Sequence, residues 1–130
     1  MGRYFITLCA ILSLLTPLYS RAEFTVAMYN EMKGLTYSSN AESAKQAKDM
    51  IATYLMGVAS GVNTISQFEK AKNGTKIPYC LPKGTKLTPS FAEYVVDSVL
   101  SDKDAKFDNV DGMGISTIYT IGLLRYYKCP

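Results

Sequence analysis

Apolar positions in this chain recur at helical spacing, and no stretch of useful length alternates as a strand would. The longest pattern runs without a proline from Ala41 to Lys72, with apolar or small residues at Ala44, Ala47, Ile51, Tyr54, Leu55, Val58, Val62, Ile65 and Phe68. Steps of three and four predict one long helix with a single buried face, capped by Ser39 or Asn40 and stopped at Asn73-Gly74. Before it, Phe24 to Lys33 is compatible with a short helix ending at Gly34. After it, Gly74, Pro78, Pro82 and Gly84 break any regular structure. Thr88 then caps and Pro89 opens a helix whose stripe is Ala92, Val95, Val96 and Val99, continuing to about Ser101. The segment SDKDAKFDNVDGMG, from Ser101 to Gly114, reads as an exposed connection.

A last helix follows from Ile115 to about Lys128. Its main face carries Ile115, Ile118, Tyr119, Gly122, Leu123 and Tyr126, yet Ile121 and Leu124 lie off that face. Apolarity nearly all round predicts either a central helix or one covered by a second copy of the chain, hence the expectation of a homodimer. Gly57 and Gly61, one turn apart in YLMGVASGV, weaken a helix interior by about 1 kcal/mol each, which predicts close helix packing there. The apolar run around them is too short to span a bilayer and contains Thr53 and Ser60. The fold class expected is all-α, a small bundle of about four helices.

Length and composition narrow the class. With 130 residues, 48% hydrophobic and 19% charged, the chain fits one core and neither a disordered polymer nor a multi-domain enzyme. At its start, Arg3 precedes a mostly apolar run from Tyr4 to Leu15, then Pro17, Ser20 and Ala22. That order predicts a secretory signal peptide over residues 1–22, cut after Ala22, and a single domain over 23–130. No membrane span is expected after cleavage, since the run falls short of the roughly 20 residues a bilayer needs. Cleavage removes Arg3 and Arg21 and no acid, so 14 basic and 11 acidic side chains become 12 and 11. That near balance argues against nucleic acid as a partner. Cys9 leaves with the signal, and Cys80 and Cys129 remain as the only thiols in an oxidising compartment. One disulfide between them is the simplest outcome.

Catalytic chemistry is thin. There is no histidine, which removes the commonest general base and metal ligand. Two cysteines so far apart make no zinc site without it. Asp102, Asp104, Asp108 and Asp111 cluster in sequence but lack the spacing of a calcium loop, and a solvated surface accounts for them. No enzyme activity, cofactor or metal is expected, although hydrolysis by those carboxylates is a reading that turnover would reveal. What remains is a surface. Between Lys70 and Lys86 lie five lysines, among them Lys76, Lys83 and Lys86, and no acid, while Asp97 to Asp111 holds five aspartates against Lys103 and Lys106. Opposite potentials on two loops suit a protein partner with a complementary pattern. Eight tyrosines survive cleavage, and tyrosine is favoured at interfaces.

YLMGVASGV on the long helix, YCLPKGTKLTPSFAEYVVDSVL entering the next, and a cysteine closing the last resemble the Tai/Rap immunity proteins of bacterial type VI secretion systems. The resemblance covers roughly Met50 to the end. It implies a small helical periplasmic protein, often dimeric, that binds and blocks a cell-wall-degrading amidase effector and so protects its producer. Such an inhibitor needs a stiff segment to enter the amidase cleft. Two segments qualify: the lysine-rich loop braced by Pro78, Cys80 and Pro82, and the longer connection from Asp102 to Asp111, with Phe107 as an anchor among its charges. The second is preferred. An acid-stress chaperone of the periplasm, or a module that binds another envelope protein, is the alternative reading of the same features.

Overall fold

Asn40 and Thr88 begin the two helices that organise the fold. In the computed structural model, which describes residues 23–130, Asn40 Oδ1 accepts the N–H groups of Glu42 and Ser43 at 3.0 and 3.1 Å. Thr88 Oγ1 accepts that of Phe91 at 3.1 Å. Each hydroxyl or amide oxygen satisfies donors that a helix start leaves without partners. The helices are α1 (Val26–Leu35), α2 (Ala41–Asn73), α3 (Pro89–Ser101) and α4 (Ile115–Tyr126), with a three-residue 3-10 turn at Val110–Gly112 before α4. Gly74 ends α2 with φ +65°, a conformation that disfavours any side chain. The expectation of a signal peptide over 1–22 lies outside the described residues.

The fold is all-α, as expected. Among the described residues the one β feature is an isolated bridge between Thr25 and Gly114. There, Val26 N–H donates to Met113 O and Ile115 N–H to Phe24 O, both at 2.9 Å, fastening the start of the domain to the entry of α4. The core joins Tyr29 of α1, Ile51 and Leu55 of α2, Val95, Val96 and Val99 of α3, and Ile118, Tyr119 and Leu123 of α4, all buried. No polar or charged residue among those described is buried. Helix α1 is held to α3 by a surface network: Tyr29 Oη donates to Asp97 at 2.7 Å, and Lys33 Nζ donates to Glu93 and Asp97 at 2.5 and 3.0 Å.

Two packing expectations are corrected. The buried stripe of α2, with Ala47, Ile51, Leu55 and Ala59, gives way at Val62, which is only partly buried. Beyond it Ile65 and Phe68 are 66% and 57% exposed. The cause is length: 33 residues rise about 50 Å, whereas the 13 of α3 rise about 20 Å, so the end of α2 overhangs its partner. Gly57 and Gly61 are not a close-packing site within the chain, because a Cβ built on either would meet no atom within 4 Å. The close approach is at Gly122. A Cβ there would overlap Val95 Cγ1 and lie 3.0 Å from Val99 Cγ2 and 3.2 Å from Val95 O. Small size at that position lets α4 lie directly on α3.

Helix α4 is also less exposed than its all-round apolarity implies. Ile121 packs against the core and Leu124 is left 40% exposed. Its apolar surface is largely used inside the chain, so this helix by itself does not call for a second copy.

Candidate functional site

The end of α4 is where the two charged segments meet. Cys80 and Cys129 are joined, as expected, by a disulfide with S–S 2.04 Å. Cys80 N–H donates to Tyr127 O at 2.7 Å, so Cys80 fastens the lysine-rich loop to the segment after α4 twice, by a hydrogen bond to Tyr127 and a covalent bond to Cys129. Tyr79, beside it, is buried, and its hydroxyl lies 3.4 Å from Ser66 Oγ on the overhanging part of α2. Lys76, Lys83 and Lys86 are exposed, and no ion pair among the described residues involves them. Lys70 and Lys76 border a recess of about 390 Å³ whose floor includes both cysteines and Tyr79.

The aspartates do not form one patch. Asp102 caps the end of α3 and turns toward the last turn of α4. Its Oδ1 accepts Asp104 N–H at 2.9 Å, and its Oδ2 accepts the Tyr126 hydroxyl at 3.0 Å and Arg125 Nη2 at 2.9 Å. The Asp104 N–H, then Tyr126 and Arg125, hold this carboxyl below the usual carboxylate range. Asp111 lies in the 3-10 turn beside the start of α4. The connection thus begins at Asp102, which is bonded to the last turn of α4, and ends at its first turn, 12 helical residues away along the chain. Asp104, Asp108 and Asp111 are exposed, whereas Phe107, expected as an anchor for a partner, is partly buried against the core. Phe107 ties the connection down, because an aromatic ring gains more from the core than from water.

Beside Asp102 the structure shows a feature not singled out in the sequence. Tyr94, Ser98, Ser101, Asp102, Tyr126 and Tyr127 line an open cleft of about 500 Å³ between α3 and α4. The Tyr126 hydroxyl bridges Asp102 and Ser98 O, at 3.0 and 3.1 Å, which fixes its ring. Burial, and then the bond to Asp102, push its phenol up. Tyr127 is packed from behind by Phe91, ring centroids 5.7 Å apart, and Tyr94 is 66% exposed on the opposite rim. The signal was the spacing of Tyr94, Ser98 and Ser101, one exposed face of α3, combined with adjacent tyrosines at the end of α4.

Among the described residues, no three His, Cys, Asp or Glu side chains converge to hold a metal ion, and no helix is long and apolar enough to cross a membrane. No protein-family model, curated protein or solved structure matches this chain.

Proposed function

We propose that this chain is a non-catalytic periplasmic inhibitor that binds and blocks a peptidoglycan amidase effector of a type VI secretion system, protecting the cell that makes it. The reading rests on the resemblance carried by YLMGVASGV, YCLPKGTKLTPSFAEYVVDSVL and the closing cysteine. The single observation that supports it best is the Cys80–Cys129 bridge, which unites the cysteine-proline loop and the chain end into one braced surface at the end of α4. A disulfide of this kind favours an oxidising compartment. A partner meeting that surface finds loops already held in place, so little ordering entropy is lost on binding. The contact surface assigned to the effector is this end of the bundle: Asp102, Asp104, the tyrosine cleft and the lysine loop.

The test is survival of a susceptible bacterium that exports amidase effectors to its periplasm together with this chain. Rescue is expected from the full sequence and not from a form lacking residues 1–22. Rescue by neither form, against every type VI amidase family tried, would remove the proposal.

A further inference from the structure

We propose that the outward face of α2 is the contact surface for a second copy of this chain, the two α2 helices lying antiparallel about a two-fold axis near Gly57 and Gly61. From Met50, in steps of three and four, run Thr53, Gly57, Gly61, Thr64 and Phe68, all exposed and therefore on one outer side of the helix. The opposite side carries the buried residues Ala47, Ile51, Leu55 and Ala59. A surface helix ordinarily sets charges on its outer side. Here the chain has no charged residue from Met50 to Phe68, about 27 Å of helix. Along that length Met50, Ile65 and Phe68 are 60%, 66% and 57% exposed, and nothing in the chain covers them.

The face is complementary to itself when one copy is turned end for end. With Gly61 of one copy against Gly57 of the other, Phe68 and Ile65 come over Met50, Thr53 and Tyr54. Those three residues and Asp49 border a recess of about 400 Å³, so an exposed ring on one copy meets an open recess on the other, and does so twice. An aromatic ring against a thioether is a favourable contact. A Cβ at Gly57 or Gly61 would meet no atom of the chain within 4 Å, and the lack of side chains there lets two backbones approach. The charges beyond the uncharged stretch agree with this register. Lys72, one turn after Phe68, falls opposite Gln46, whose amide donates to Glu42 at 3.0 Å. Neither Lys72 nor Glu42 has an ion pair among the described residues, so each end of the contact can bring a free lysine to a free carboxylate. A parallel arrangement would set Lys72 against Lys72 and leave the recess unfilled.

The contact leaves the end of α4 free, so the inference does not rest on the inhibitor reading. The exported, disulfide-intact chain is followed by sedimentation velocity over about three decades of concentration. One helix pair is a small interface, so a monomer–dimer equilibrium is expected with a midpoint on the order of 10 μM. Gly61→Leu is the discriminating variant. Position 61 is open within the chain and leucine is the better helix former, so the monomer keeps its fold, as circular dichroism would show. A methyl at position 57 is small enough to be taken opposite Gly61, but a leucine at 61 is not, and association is expected to weaken at least tenfold. On a face that met no second copy, an added leucine would leave association unchanged or strengthen it. Irradiation of the Phe68→p-benzoylphenylalanine variant is expected to link position 68 of one copy to the segment around Met50 of the other. The proposal is overturned by a monomer at all concentrations, by a Gly61→Leu chain that associates as well as the parent or better, or by cross-links between copies that join position 68 to its own counterpart or to α4.

Discussion

Gly122→Ala and Gly57→Ala make the same chemical change on two helices, and the structure assigns them opposite signs. At Gly57 the added methyl meets nothing within 4 Å, so the substitution simply removes the helix penalty of glycine, a gain of about 0.5–1 kcal/mol. At Gly122 the same gain is offset by collision. The methyl would overlap Val95 Cγ1, and no easy rotamer change relieves this, because Val95 is β-branched and fully buried. It would also sit 3.2 Å from Val95 O, which no rotamer can move, so α3 and α4 must part. Overpacking of this kind costs about 1–3 kcal/mol. A cost in the upper half of that range leaves a net loss of about 1–2 kcal/mol after the helix gain. Because both variants share the helix gain, they should differ by the overpacking cost alone, about 2–3 kcal/mol, or on the order of 8–12 °C in melting temperature for a domain of this size. Urea unfolding followed by circular dichroism measures both. A cycle with Val95→Ala adds a second readout, since removing Cγ1 should make Gly122→Ala less costly than in the parent. Equal stability of Gly122→Ala and Gly57→Ala, or strict additivity in the cycle, would refute the packing described for α3 and α4.

Replacing both Cys80 and Cys129 by serine opens a loop spanning 49 positions and should cost about 4 kcal/mol in the chain-entropy view, read as a fall in the urea midpoint; an unchanged midpoint would mean that the bridge adds nothing. Alkaline pH should destabilise the fold. Burial, then Asp97, raises the Tyr29 phenol well above its ordinary value, and burial, then Tyr79 and Tyr127, pushes Tyr119 up to about 12. Lys33 is lowered by burial but raised on balance by its bonds to Glu93 and Asp97. For all three the folded-state value lies above the unfolded one. Their contribution is therefore complete below about pH 10 and lost as pH rises further, which a series of melting curves from pH 8 to pH 12 would show. Acid should do less. Since no charged residue among those described is buried, helicity should persist near pH 3 without dye-binding apolar surface, whereas client protection and ANS binding there would favour the acid-stress chaperone reading.

Local grammar carried most of the fold into the sequence. Asn40, Gly74 and the Thr88-Pro89 pair mark helix ends through bonds made within a few residues, and the structure places the boundaries of α2 and α3 at those positions. The disulfide was legible because only two cysteines remained after the expected cleavage. What periodicity does not encode is the length of the neighbour. Ile65 and Phe68 continue the apolar stripe of α2 yet have nothing opposite them, and Phe68 instead lies under Lys72 Nζ, 5.4 Å from its ring centre. Glycine is ambiguous for the same reason: Gly57 and Gly61 look like a contact in sequence, but only tertiary placement shows that Gly122 is the one pressed against another helix. The tyrosine cleft needed Tyr94 and Tyr126, 32 positions apart in the numbering, to be brought to one wall by the packing of α4 on α3. Asp102 was visible as a charge in a loop, while its engagement by Tyr126 and Arg125 was not.

Turnover of purified peptidoglycan by type VI amidases, measured while the disulfide-intact chain is titrated in, tests the inhibitor reading most directly. For the cognate amidase, activity should fall to background at stoichiometric addition and stay there, with no cleavage by the chain alone. Undiminished turnover by every such amidase at molar excess of the chain, or peptidoglycan cleavage by the chain without any amidase present, would contradict it.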